Sequence, residues 1–230
     1  MDRKNTMLLT VIAVATLLVA VVGATFAYFS ITGTNSSGTT VITTTTGSVG
    51  TVTLTSPNTA LKINLTATDM AQNLGGTISY YSVLASSTDN YLTTDSGALQ
   101  QVLLATVVDS NTETEYKCTG SVKVVLASTK TGSTALENIV EGDGELVFGG
   151  VLAGTSKKLT EIKTTEGGTT TYETTINNVE FTGLKSGVTK DVTAYLKINN
   201  TAAAQDYLQG ETLTVTITAP TFACEVVDNS

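Results

Sequence analysis

The side chains with most chemistry to offer in this 230-residue chain are two cysteines, two small groups of acids and one serine beside two lysines. Histidine is absent. That single fact removes Ser-His-Asp and Cys-His catalysis, HExxH zinc sites and histidine-based pH switching. Cys118 and Cys224 stand 106 positions apart. A zinc site built from carboxylates without nitrogen ligands is unusual, so zinc protease chemistry is not expected. In an exported chain two cysteines invite a disulfide, whose long loop would contribute about 4–5 kcal/mol in the chain-entropy model. Two buried thiols are the alternative.

The acids offer less. Glu141-Gly142-Asp143-Gly144-Glu145 puts oxygen ligands at alternate positions, a spacing open to Ca²⁺, but the twelve-residue loop pattern is lacking. An acidic exposed turn is the plainer reading. Glu113 and Glu115 would share one strand face. A glycosidase needs two carboxylates at set distances across a sugar, and an i,i+2 pair on a polar strand is ordinarily solvated charge. Ser156-Lys157-Lys158 reads as a loop and not as a Ser-Lys nucleophile pair. No catalytic residue, cofactor site or metal site is assigned, and the chain is not expected to be an enzyme.

The elements that carry these residues are strands. Threonine supplies 47 residues, about a fifth of the chain, and favours strands over helices. With Gly 20 and Pro 2, the composition is not that of a mucin-like or linker tract. Thr51–Thr55, Leu61–Leu65 and Thr212–Thr218 alternate apolar and polar residues, the pattern of half-buried antiparallel strands. Further strands are predicted at Thr77–Leu84, Gln101–Val108, Tyr116–Ala127, Glu145–Phe148, Lys158–Lys163, Thr170–Phe181, Val188–Ile198 and Thr221–Val227. Thr88–Gln101 and Ala135–Val140 have room for a short helical turn. About eleven short strands separated by Gly, Asn, Asp and Ser predict an all-β sandwich or barrel, in one domain over 39–230.

The N-terminus differs. Arg3 and Lys4 precede an uncharged run, Met7–Phe29, in which 19 of 23 residues are apolar. The run is long for a signal peptide and adequate for a membrane anchor. In either case the basic end stays cytoplasmic and the rest is exported. Any membrane contact would be made through this leader alone. After it come a short apolar arm, Tyr28-Phe29-Ser30-Ile31-Thr32, and a flexible tether, Gly33–Gly38. Such an arm can fold back on its own sheet or add a strand to a neighbour. With 12 basic against 20 acidic residues the net charge is −8, so nucleic acid is excluded as a partner class. No LPxTG-like signal or second apolar span is present in the sequence, so sortase attachment is not expected.

The string Gly23-Ala24-Thr25-Phe26-Ala27-Tyr28-Phe29-Ser30 resembles the leader end of the TasA/camelysin family of secreted Gram-positive surface and matrix proteins. That family usually has Asp after the Ser, where this chain has Ile31. Gly183-Leu184-Lys185-Ser186-Gly187 is similar to the family's Leu-x-Pro-Gly turn, with Ser186 in place of the proline. The strand after it ends at Asn199-Asn200, as the family's does. Asp206-Tyr207-Leu208-Gln209-Gly210 looks like the family's Gln-Gly turn before its final core strand. The resemblance implies cleavage by signal peptidase between Ala27 and Tyr28. It implies a jelly-roll β-sandwich behind a hydrophobic leader helix, secreted to the extracellular matrix or cell surface of a Gram-positive-type bacterium. The expected function is a fibre or biofilm-matrix subunit that polymerises head to tail by donating Tyr28–Thr32 to the next copy. A membrane-anchored adhesion module presenting loops 86–100 and 129–144 is the alternative. Some family members are described as metalloproteases, and the absence of histidine separates this chain from that description.

Overall fold

The computed structural model describes residues 42–46, 50–57, 60–66, 78–85, 99–129, 134–200 and 205–227. The leader, the cleavage point Ala27/Tyr28 and the arm Tyr28–Thr32 lie outside these residues, as do 88–98 of the helical turn considered at Thr88–Gln101. The strands are β1 (Ile42–Thr46), β2 (Gly50–Thr55), β3 (Ala60–Leu65), β4 (Ile78–Tyr81), β5 (Val83–Leu84), β6 (Gln100–Val108), β7 (Tyr116–Ser128), β8 (Gly144–Gly150), β9 (Ser156–Lys158), β10 (Lys163–Glu166), β11 (Thr169–Leu184), β12 (Lys190–Asn200) and β13 (Glu211–Val226). Two single-turn helices, α1 (Thr134–Glu137) and α2 (Leu159–Ile162), and a 3-10 turn at Asp206–Leu208 complete the described elements. None of the helices among the described residues is long and apolar enough to cross a membrane.

The strands form two antiparallel sheets. The first runs β1-β2-β6-β12-β8-β9, with β4 alongside β6 on the same flank of β12. The second runs β10-β11-β7-β13-β3-β5. Alternation decides which side chains go in. In β3, Leu61, Ile63 and Leu65 are buried while Lys62 and Asn64 stay half-exposed. In β12, Val192, Ala194, Leu196 and Ile198 point inward. The inward faces of both sheets meet in one apolar core. Each Leu, Ile or Val so buried contributes roughly 1.5–3 kcal/mol relative to exposure.

Several local readings change. The sequence predicts separate strands at Thr212–Thr218 and Thr221–Val227, but the structure has one strand, β13. Ala219 and Pro220 stand opposite the single residue Val122, a β-bulge that absorbs the proline's missing N–H. The bulge also moves the inward set from Leu213, Val215 and Ile217 to Phe222 and Cys224. The strand predicted at Lys158–Lys163 is replaced by α2. Leu159 and Ile162 are spaced i,i+3 and both are fully buried. The Glu161 carboxylate accepts the Lys158 backbone N–H at 2.8 Å and closes the turn. Ser156-Lys157-Lys158 is a short edge strand and not a loop. Thr77–Leu84 divides at Ser82, whose hydroxyl accepts the Leu196 N–H at 2.9 Å where a backbone carbonyl would otherwise serve. From there the chain crosses to pair β5 with β3.

Cys118 and Cys224 face each other across the β7–β13 pair, with Cα atoms 4.0 Å apart and the sulfurs joined in a disulfide. Both are buried beside Phe181, which lies opposite Cys118 on β11 and meets the Phe222 ring edge to face at 5.6 Å. The intact mass of unreduced protein should therefore not change on treatment with an alkylating agent. Replacing both cysteines by alanine should lower stability by about 2–5 kcal/mol in urea unfolding.

Candidate functional site

The acidic residues singled out from the sequence do not converge. Glu113 lies in the turn between β6 and β7, its backbone N–H donated to the Asn111 side chain at 3.1 Å. Glu115 follows in extended chain outside any strand, and its carbonyl accepts the Val227 N–H at 2.8 Å. The two are therefore not a carboxylate pair on one strand face. Each acid of the 141–145 segment has its own protein partner. Glu141 pairs with Lys158 in a largely exposed contact, where such pairs contribute little, and Glu145 pairs with Lys197 at 3.1 Å in a partly buried one. Asp143 corrects the picture of an exposed turn, because it is 2 % exposed.

Asp143 is the centre of a polar cluster. Its carboxylate accepts Gln205 Nε2 at 2.6 Å, the Tyr207 hydroxyl at 2.8 and 3.0 Å, and the Val140 backbone N–H at 2.6 Å. Its carbonyl accepts the Asn199 N–H at 2.8 Å, and the Asn199 side chain donates to the Gly142 carbonyl at 2.9 Å. The Asp143 carboxylate thereby joins the loop before β8 to the 3-10 turn before β13, and the backbone carbonyls of Gly142 and Asp143 hold the end of β12. Gly144 lets β8 approach closely, since a Cβ there would collide with the Lys197 carbonyl. Burial, and then the neighbouring Asp143 carboxylate, push the Tyr207 phenol well above its ordinary value. Only part of this cluster was visible in the sequence. The Gly142-Asp143-Gly144 run and the Asp206–Gly210 turn each stand out in the sequence, but nothing in their spacing links them.

A second pair has no signal in the sequence. The Tyr116 hydroxyl donates to Asp109 Oδ2 at 2.6 Å, and Asn111 N–H to Oδ1 at 2.8 Å. Asp109 directly follows β6 of the first sheet and Tyr116 opens β7 in the second, so the bond straps the crossing between them. Gly50 must lack a side chain here, because a Cβ would sit 2.5 Å from the Tyr116 hydroxyl. The hydroxyl first, then the Asn111 amide, hold the Asp109 carboxyl below its ordinary value.

Between the sheets lies a narrow crevice, too tight to hold a water molecule, lined by Ser56, Val102, Leu103, Val122, Val192 and the segment Ile217–Ala219. It sits where both sheets are bulged. Val102 is the extra residue of β6 against β12, and Ala219-Pro220 are the doubled residues of β13 against β7. Its walls are apolar apart from Ser56 and Thr218, with no group placed for acid, base or nucleophilic chemistry. Among the described residues no cluster of three or more Cys, Asp or Glu is arranged to hold a metal ion.

Comparison with protein-family models, with curated proteins and with solved structures finds no match for the chain.

Two substitutions probe the straps. Tyr207→Phe should cost about 1–2 kcal/mol in urea unfolding, by removing a donor from a buried carboxylate. Tyr116→Phe should destabilise at neutral pH, with a pH signature. A carboxyl held below its ordinary value stabilises the fold above about 3.8, and that contribution is lost as pH falls through the depressed value. The gap between wild type and Tyr116→Phe should accordingly be full at pH 7 and close as the protein is acidified below pH 4, read from parallel unfolding curves.

Proposed function

We propose that this chain is a secreted structural subunit of an extracellular fibre or biofilm matrix, which polymerises by donating its N-terminal arm, Tyr28–Thr32, to the next copy. The observation that carries this reading is the position of β1. It is the outermost strand of the first sheet and pairs only with β2 among the described residues. The arm lies only nine residues upstream, so arm and tether join the sandwich at a sheet edge. Nine residues can span roughly 30 Å, enough to reach the arm's own sheet or a neighbour's. An extended segment added to a sheet edge gains main-chain hydrogen bonds, and Phe29 and Ile31 would fill apolar slots. The contact joins unlike surfaces and need not close, which is how linear polymers arise.

In this reading the leader, residues 1–27, directs export and is removed by signal peptidase between Ala27 and Tyr28, and the protein works outside the cell. The sandwich is read as jelly-roll-like. Support for that is the way successive strands alternate between sheets: β2 to β3, β6 to β7, β7 to β8, β11 to β12 and β12 to β13 each change sheet. The role is structural and not enzymatic. The buried carboxylates described above are engaged in holding loops, and the crevice offers no reactive group. The TasA/camelysin resemblance in the leader and the two turns points the same way.

Deleting Tyr28–Thr32 tests the reading. The exported wild type should begin at Tyr28 by mass spectrometry and form filaments under negative stain. The deleted protein should remain folded, with wild-type circular dichroism, and form none. Filaments in unchanged abundance, or protein held in the membrane fraction with residues 1–27 intact, would overturn it.

A further inference from the structure

The structure assigns Tyr81 and Tyr195 as an oxidative cross-linking site, where a carbon–carbon bond between the two phenol rings would fasten β4 to β12 within one molecule. The sheet register brings the rings together. Tyr81 stands opposite Lys197 in the β4–β12 pair, so Tyr195, two residues back along β12, is its diagonal neighbour on the same outward face. The ring centroids are 5.3 Å apart at an interplanar angle of 66°, an edge-to-face contact. Both residues are half-buried. Burial, and then the Tyr81 phenol, raise the Tyr195 phenol above its ordinary value, which agrees with two phenol ends that share one region of the sheet.

The other described tyrosines are placed differently. Tyr80 and Tyr116 are buried in the core. The Tyr116 and Tyr207 hydroxyls donate to Asp109 and Asp143. Tyr172 packs against the core from β11 in the second sheet. Composition then narrows what an oxidant can attack. Thiols and thioethers are the usual targets, but both cysteines are held in the disulfide and the methionines are Met1, Met7 and Met70. Tryptophan, which would compete with tyrosine for a one-electron oxidant, is absent from the sequence. Disulfides form and persist in oxidising surroundings, and this fold contains one.

The oxidant is hydrogen peroxide acting through a haem peroxidase. Each phenol gives up one electron and one proton and becomes a phenoxyl radical, whose unpaired electron is shared onto the ring carbons beside the oxygen. One such carbon of each ring joins the other. The hydrogen on each joined carbon leaves as a proton while each oxygen regains one, so both rings return to phenols. The protein loses two hydrogens, and one peroxide becomes two waters. Edge-to-face rings must turn to bring these carbons together, a small movement beside the rotamer flips of surface side chains. The gain falls on a weakly held element. β4 is four residues long and, among the described residues, pairs with β12 alone. A bond from Tyr81 to Tyr195 closes a long loop and restricts the unfolded chain as a disulfide does. It needs no second copy and is independent of arm donation.

The exported full chain, treated at micromolar concentration with a haem peroxidase and hydrogen peroxide, tests this. The expected product is a monomer lighter by two hydrogens, with dityrosine fluorescence. Its digest should contain the peptides of Tyr81 and Tyr195 joined to each other, severalfold above any other tyrosine pair. Tyr81→Phe and Tyr195→Phe should each reduce that species to background, and Tyr172→Phe should leave it unchanged. Phenylalanine keeps the ring, and circular dichroism of each variant excludes misfolding as the cause of a loss. Treated protein with no linked monomer, or with links only between molecules or through other tyrosines, would overturn the inference. Linked monomer in undiminished yield from Tyr195→Phe would overturn it as well.

Discussion

Strands β7 and β13 lie against each other from Tyr116 to Ser128, and the second sheet is arranged around that pair. β11 takes its register from β7 on one side, and β3 takes its register from β13 on the other. The Cys118–Cys224 bond fixes the pair at one end, and Ser128 donating to the buried Glu211 ties it at the other. Between these points the inward residues Val122, Val124, Leu126, Val215 and Ile217 present one apolar face. The first sheet packs its own apolar face on that surface, so the position of β12 and β6 follows from a pairing in which they take no part.

Two sheets packed face to face leave a problem at their crossings. Backbone and polar side chains that leave one sheet for the other pass through a zone with little water, where an unpaired group costs about 1–3 kcal/mol. Asp109 and Tyr116 answer this at the β6–β7 crossing, and Asp143 with Gln205 and Tyr207 at the loops around β8, β12 and β13. Ser82 does the same with a hydroxyl at the β4–β5 crossing. These buried polar groups resemble parts of an active site in composition, but each is occupied by a structural partner. The two facing bulges at Val102 and Ala219-Pro220 leave the crevice between the sheets, which is a gap in packing with no polar lining suited to a ligand.

Much of the strand content was legible because period-two alternation is local. Leu61–Leu65 and Tyr116–Ala127 declare their inward faces without reference to the rest of the chain, and the observed strands begin and end within a residue of those readings. The failures share a cause in distant residues. Lys158–Lys163 is threonine-poor and short, and its i,i+3 pair Leu159/Ile162 is equally compatible with a strand until both must reach one core. Thr212–Thr218 and Thr221–Val227 read as two strands in the sequence, because only the partner strand reveals that Ala219 and Pro220 can stand against one residue. The Asp109–Tyr116 strap and the Tyr207–Asp143 bond join positions 7 and 64 residues apart, the sheet pairings reach further still, and no spacing rule predicts them. The cysteines were a partial exception: a disulfide was one of two readings, but only the register places Cys118 directly across from Cys224.

The disulfide also divides the chain in a way that concerns mechanical load. Residues 119–223 lie inside a covalent loop whose two ends are the same sulfur–sulfur bond. A pull between the N-terminal arm and the C-terminus travels through the residues up to Cys118, crosses to Cys224 and leaves. It never enters the loop. Strands β8 to β12 and most of β7 and β13 are shielded from tension along the backbone, whereas β1 to β6 bear it in sequence. Under stretching, the molecule would therefore yield from its N-terminal strands and keep the remainder as a covalently closed reserve that does not lengthen.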